Sequence, residues 1–116
     1  HTAAVAAVVN HHARVGLDLY TEHVTPVMFH TFARGGVTAG TKVLKESWSP
    51  VAIACALGAS IQYDTPLWIT PDLWGLHGYP DHSPEQYRSS LLLAYHMGAD
   101  CIFSESLCLG PTPGAP

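Results

Sequence analysis

The chain has 116 residues, 47% hydrophobic and only 12% charged, with five Lys and Arg against nine Asp and Glu and a net charge of −4. Soluble domains carry about 25% charge, so this one is short of ions, and its apolar content excludes a disordered chain, which needs low hydrophobicity and high net charge. The basic residues are too few and too scattered for the stripe that phosphate contacts require, so no nucleic-acid partner is expected. The longest apolar runs, Ala3 to Val9 and Val51 to Ala59, fall short of the roughly 18 residues that cross a bilayer, so no membrane partner is expected either.

In chain order, the apolar N-terminal stretch reads as a helix ending at Gly16, with no charged leader of the targeting type. Leu17 to Thr21 is strand-like and leads into Glu22, His23, Val24, Thr25 and Pro26. A helix then runs to Gly35. Lys42 to Lys45 reads as a weaker strand and leads into Glu46, Ser47, Trp48, Ser49 and Pro50. Both junctions have the order acid, two residues, Ser or Thr, Pro: a carboxylate at the carboxyl end of a strand, then a cap and a proline that open a helix. The next helix, Pro50 to Gly58, has no charged residue, so some partner is expected to cover it.

Leu67 to Thr70 is apolar, aromatic and β-branched, the pattern of a buried strand. Pro71 to His82 forms a long polar and aromatic loop. Ser83, Pro84, Glu85 and Gln86 then supply an N-cap, a proline at the first helical position and the glutamine of a capping box. Tyr87, Leu91, Ala94 and Tyr95 recur at helical spacing, Gly98 ends the helix, and Cys101 to Phe103 is the final strand. The tail, residues 110–116, holds three prolines and two glycines and reads as a linker. Cys55, Cys101 and Cys108 form no CxxC pair and are expected to be buried thiols.

The pattern is α/β, with parallel βα units over residues 1–109. It fits either a small doubly wound sheet or part of a (βα)8 barrel. The acids at 22, 46, 72 and 105 recur at intervals of 24, 26 and 33 residues, one at each expected strand end, and no glycine-rich phosphate loop follows any strand. Both features favour the barrel over a fold whose site gathers at one switch point. A full barrel needs roughly 200 residues or more, so the expected unit is about half of one. Its partner would be the remainder of a barrel or a second copy.

On a barrel rim, Glu22, Glu46, Asp72 and Glu105 would share one face with Trp48, Trp74, His77, Tyr79 and His23. Aromatic faces stack on sugar rings, and paired carboxylates perform acid/base and nucleophilic work. The plainer role for each acid is a rim salt bridge or helix-dipole partner, which five cationic side chains are few to supply. Rim histidines with carboxylates also suit a metal-dependent hydrolase, although no His-x-His pair stands at a strand end. A non-catalytic carbohydrate-binding or assembly fragment is the third reading. Of the other six histidines, His82 falls on the same rim, His11, His12, His30 and His96 fall on helices, and His1 is the first residue of the sequence.

The run Pro66-Leu-Trp-Ile-Thr-Pro-Asp-Leu-Trp-Gly75, with His82-Ser-Pro-Glu-Gln-Tyr-Arg88 and Leu91-Leu-Leu-Ala-Tyr-His-Met-Gly-Ala-Asp100 before Glu105, resembles the barrel of a glycoside hydrolase over about 40 residues. The resemblance implies a glycosidase without cofactor, acting on a carbohydrate. In retaining enzymes of the large barrel clan the acid/base and the nucleophile are glutamates on strands three apart. This implies Glu22 as acid/base and Glu105 as nucleophile, with Glu46 the substitute for Glu22. Trp48, Trp74, Tyr79, His77, His23 and Asp72 would bind substrate. The clan usually has Asn before its acid/base, where this chain has Thr21.

Overall fold

The computed structural model describes residues 1–44, 50–72 and 83–104. Among them are four helices, α1 (Thr2–Ala13), α2 (Pro26–Arg34), α3 (Pro50–Tyr63) and α4 (Pro84–His96), and three strands, β1 (Ala39–Leu44), β2 (Leu67–Asp72) and β3 (Cys101–Ile102). The strands form one parallel sheet in the order β1-β2-β3. The chain is thus a small α/β domain built of parallel βα units. No described helix is long and apolar enough to cross a membrane.

The expected strand at Leu17 to Thr21 is displaced and irregular. Residues 19–23 run parallel to β1 in constant register, but as two isolated bridges, Tyr20 to Thr38 and His23 to Thr41. Thr38 N–H donates to Leu19 O, Thr21 N–H to Thr38 O, His23 N–H to Gly40 O and Lys42 N–H to His23 O, all at 3.0–3.1 Å. The ladder breaks between them, where Gly40 N–H turns to the Thr21 hydroxyl at 3.4 Å instead of its carbonyl. Gly40 is the reason the segments approach so closely: a Cβ there would overlap the Thr21 carbonyl oxygen.

Strand periodicity sorts the side chains to two faces. Val43, Leu67, Ile69 and Ile102 turn toward the helices and join Phe29 and Ala33 of α2, Ile53, Ala56 and Ala59 of α3 and Ala94 of α4 in one core. Glu22, Gly40, Lys42, Trp68, Thr70, Cys101 and Phe103 fall on the other face. Crossovers of one hand between parallel segments taken in chain order put their helices on the same side of the sheet, as the core shared by α2, α3 and α4 requires. Alanines and Gly58 on α3 keep it close to α2, where large residues would hold helices farther apart.

Several local expectations shift. β1 begins at Ala39, three residues before Lys42, because Ala39 pairs with Leu67. Gly58 does not end its helix: α3 continues to Tyr63, covered by α2 and the sheet, and the chain turns at Asp64, whose φ is 52°. Tyr95 leaves the buried stripe and is 72% exposed, because α4 is rotated to bury Ser90 and Ala94. Burial costs Ser90 little, since its hydroxyl donates to Gln86 O at 2.8 Å. Cys55 and Cys101 are half-buried free thiols rather than fully buried ones. Cys108, Glu46, Trp48, Trp74, His77, Tyr79, Glu105 and the tail 110–116 lie outside the described residues.

The α4 entrance is as expected. Ser83 Oγ accepts from Gln86 N–H at 3.2 Å and Gln86 Oε1 accepts from Ser83 N–H at 2.8 Å, completing the capping box. The adjacent Glu85 carboxyl is held below its usual range by its own backbone N–H and by Ser83. That contribution to stability is present above the usual carboxylate range and is lost as pH falls. At the far end Gly98 adopts φ 81°, and Asp100 Oδ2 accepts from Leu67 N–H at 2.8 Å, tying the turn to the start of β2. The Gly-Ala-Asp element of the sequence thus performs a structural task.

Two substitutions check this account by denaturant unfolding. Ser83→Ala should cost about 1 kcal/mol. Gly40→Ala, which drives a methyl group into the Thr21 carbonyl, should cost about 1–3 kcal/mol and weaken hydrogen-exchange protection at Thr21 and His23 before that of β2.

Candidate functional site

The carboxyl end of residues 19–23 and of β1 forms a shallow depression of about 340 Å³ lined by Glu22, His23, Val24, Lys42 and Leu44. Glu22 and Lys42 share the face turned from the helices, and Lys42 Nζ lies 3.3 Å from Glu22 Oε1, with side chains 22% and 18% exposed. The approach is an ion pair without hydrogen-bond geometry, since Glu22 Oε1 is buried and accepts no hydrogen bond. A largely buried ion pair whose Glu22 Oε1 accepts no hydrogen bond gains little net stability. The structure therefore supplies Glu22 with the rim salt bridge that the sequence made scarce.

His23 turns the other way. Its ring packs edge-on to Phe29 and tilted against Phe32, with centroids 6.5 and 5.7 Å apart, and its Nδ1 accepts from Thr25 N–H at 2.8 Å. The imidazole thereby serves the N-terminus of α2, where Thr25 itself makes no side-chain cap. Nδ1 is thus the acceptor, and Nε2 is the nitrogen left to carry the proton of the neutral ring. Asp72 closes β2 opposite Leu44, at the carboxyl end where it was expected.

Beside the ion pair stands an aromatic group that sequence reading did not assign to the site. The Tyr20 and Trp68 rings lie 4.4 Å apart between centroids, and Tyr20 meets Phe103 edge-on at 5.9 Å. Gly40 pairs with Trp68 and presents no side chain, so the Tyr20 ring reaches across β1 to Trp68. Strand alternation in Leu-Trp-Ile-Thr was the available signal: Trp68 and Thr70 share a face. Thr70, across from Lys42, is fully buried, and its hydroxyl has no hydrogen-bond partner.

Among the described residues, no group of three or more His, Cys, Asp or Glu is arranged to hold a metal ion. Comparison with protein-family models, curated proteins and solved structures finds no match for this chain.

Two measurements check the site. Nitrogen-15 NMR of His23 at a pH where the ring is neutral should give the Nε2–H tautomer, and a dominant Nδ1–H signal would contradict the Thr25 contact. A double-mutant cycle with Glu22→Gln and Lys42→Met should give a coupling of about 1 kcal/mol or less.

Proposed function

We propose that the chain is part of a (βα)8-type barrel that hydrolyses glycosidic bonds, with Glu22 and Glu105 as its catalytic carboxylates. The observation that carries this reading is the place of Glu22: at the carboxyl end of the first of four parallel segments, on the face turned from the helices, where barrel enzymes assemble their sites. Chain-order strand addition with helices on one side is the winding of such a barrel. Glu22 acts as acid/base and Glu105 as nucleophile, the roles implied by the resemblance. Asp72, at the end of β2, is on the same rim and would hold a sugar hydroxyl.

The aromatic group Tyr20, Trp68 and Phe103 favours a carbohydrate as ligand, since ring faces next to charged acceptors suit a pyranose. The same group would serve a binding module without catalysis. Turnover separates the two.

The test uses the intact protein in its native assembly on a panel of aryl glycosides. Glu22→Gln and Glu105→Gln should each lower turnover by about 10²–10⁴-fold while leaving the fold unchanged by circular dichroism. Turnover unaffected by either change overturns the assignment of that residue, and saturable glycan binding with no turnover favours the binding module.

A further inference from the structure

An all-parallel sheet occurs with both faces covered, because the crossovers that join its strands lay helices on them. Here α2, α3 and α4 cover one face. The other carries the Tyr20, Trp68 and Phe103 rings and the buried Thr70 hydroxyl, which has no hydrogen-bond partner. Both edges of the sheet are also open among the described residues. Thr21 and His23 turn their N–H groups toward β1, so the N–H of Glu22 points off the first edge. Phe103 N–H donates to Ile69 O, so the N–H of Ile102 points off β3. Open edges of this kind take up a further strand.

The helices indicate whose strand that would be. α1 is seated on the end of α2, with Val5 against Gly35, yet none of its residues is buried. It carries no Asp, Glu, Lys or Arg, and its Val8 is 50% exposed. In a βα array, the helix that leads into a strand lies over the groove between that strand and the one before it. For α1 no such earlier strand is among the described residues. At the opposite end β3 has its open edge, and α4 beside it exposes Leu92 (40%) and Tyr95. One end therefore holds a helix without its strand, and the other a strand without its next helix. A second copy completes both ends at once: four parallel segments from each make the eight that close a parallel barrel, with two identical seams related by a twofold axis.

We infer that two copies of this chain assemble into one (βα)8 barrel. β3 of each copy pairs in parallel with residues 19–23 of the other, and α1 of each covers that seam beside α4 of the other. The inference rests on the barrel reading proposed above and names the half that completes it. Closure encloses the face of Tyr20, Trp68, Phe103 and Thr70 as the barrel interior, and it sets the two Glu22 carboxylates on opposite sides of one rim.

The test is sedimentation equilibrium of the intact chain across the micromolar range, joined to hydrogen exchange of the two edge amides. The expected mass is twice the 12.4 kDa of one chain. Val8→Glu and Tyr95→Glu, both at exposed positions on the seam helices, should each raise the dissociation constant by about tenfold or more. Ile61→Glu, equally exposed but on α3 in the middle of the helix row, should leave it unchanged. The Glu22 and Ile102 amides should exchange about tenfold or more slowly in the parent than in Tyr95→Glu. A mass of one chain throughout overturns the inference, as does a dimer that Ile61→Glu dissociates equally well or whose edge amides exchange as fast as in Tyr95→Glu. Turnover of aryl glycosides by the same samples separates the two readings. A single chain with Glu22-dependent turnover sinks the dimer alone, and a dimer with protected edges and no turnover upholds it while counting against the glycosidase.

Discussion

A crossover between neighbouring parallel strands is right-handed, and when strands are added in chain order every crossover lands on the same side of the sheet. The rest of this structure depends on that constraint. It gathers α2, α3 and α4 over one core around Phe29, Ile53, Leu67 and Ile69. It also reserves the opposite face for the side chains that carry charge and aromatic area. Because strand side chains alternate, each residue that leaves the core is delivered to that second face without further instruction. Glu22, Lys42, Trp68 and Thr70 are together for this reason.

Within that face, Gly40 decides what can touch. Its missing side chain admits both the Thr21 carbonyl and the Tyr20 ring, so residues 19–23 approach β1 at the cost of a regular ladder. Two bridges with a gap between them are what remains of a strand when one carbonyl turns aside. The same gap lets Tyr20 meet Trp68 over a strand that would otherwise separate them. An aromatic pair of this kind is worth about 0.5–1.5 kcal/mol beyond its burial, comparable to the backbone hydrogen bond forgone at Thr21.

The Glu22–Lys42 pair shows how one contact bears on structure and chemistry at once. An ion pair largely withdrawn from water contributes little net stability once its desolvation is counted, so stability is a weak reason for placing it there. Its position at the carboxyl end of parallel segments, beside a shallow depression, is where βα folds build sites. His23, one residue along, is drawn instead into the α2 entrance, where its ring nitrogen meets Thr25 N–H. Adjacent residues on a strand face opposite ways, and that separates the Glu22 carboxylate from a structural imidazole.

By itself the sequence determined the elements and their order. The Ser83 to Gln86 box, the proline-opened helices and the apolar run Leu67 to Thr70 are local signals, written in residues within a few positions of one another, and α2, α3, α4 and β2 were legible from them. Gly58 misled, because a glycine inside a helix costs only about 1 kcal/mol, which the packing of α3 between α2 and the sheet outweighs. Tyr95 misled because helical spacing gives a stripe but not its rotation. Only the tertiary structure decided which strand residues meet: the pairing of Glu22 with Lys42, of Tyr20 with Trp68 across Gly40, and of Thr70 with Lys42. Those contacts join residues about 20 to 50 positions apart. They are set by register and by one absent side chain, which no local pattern encodes.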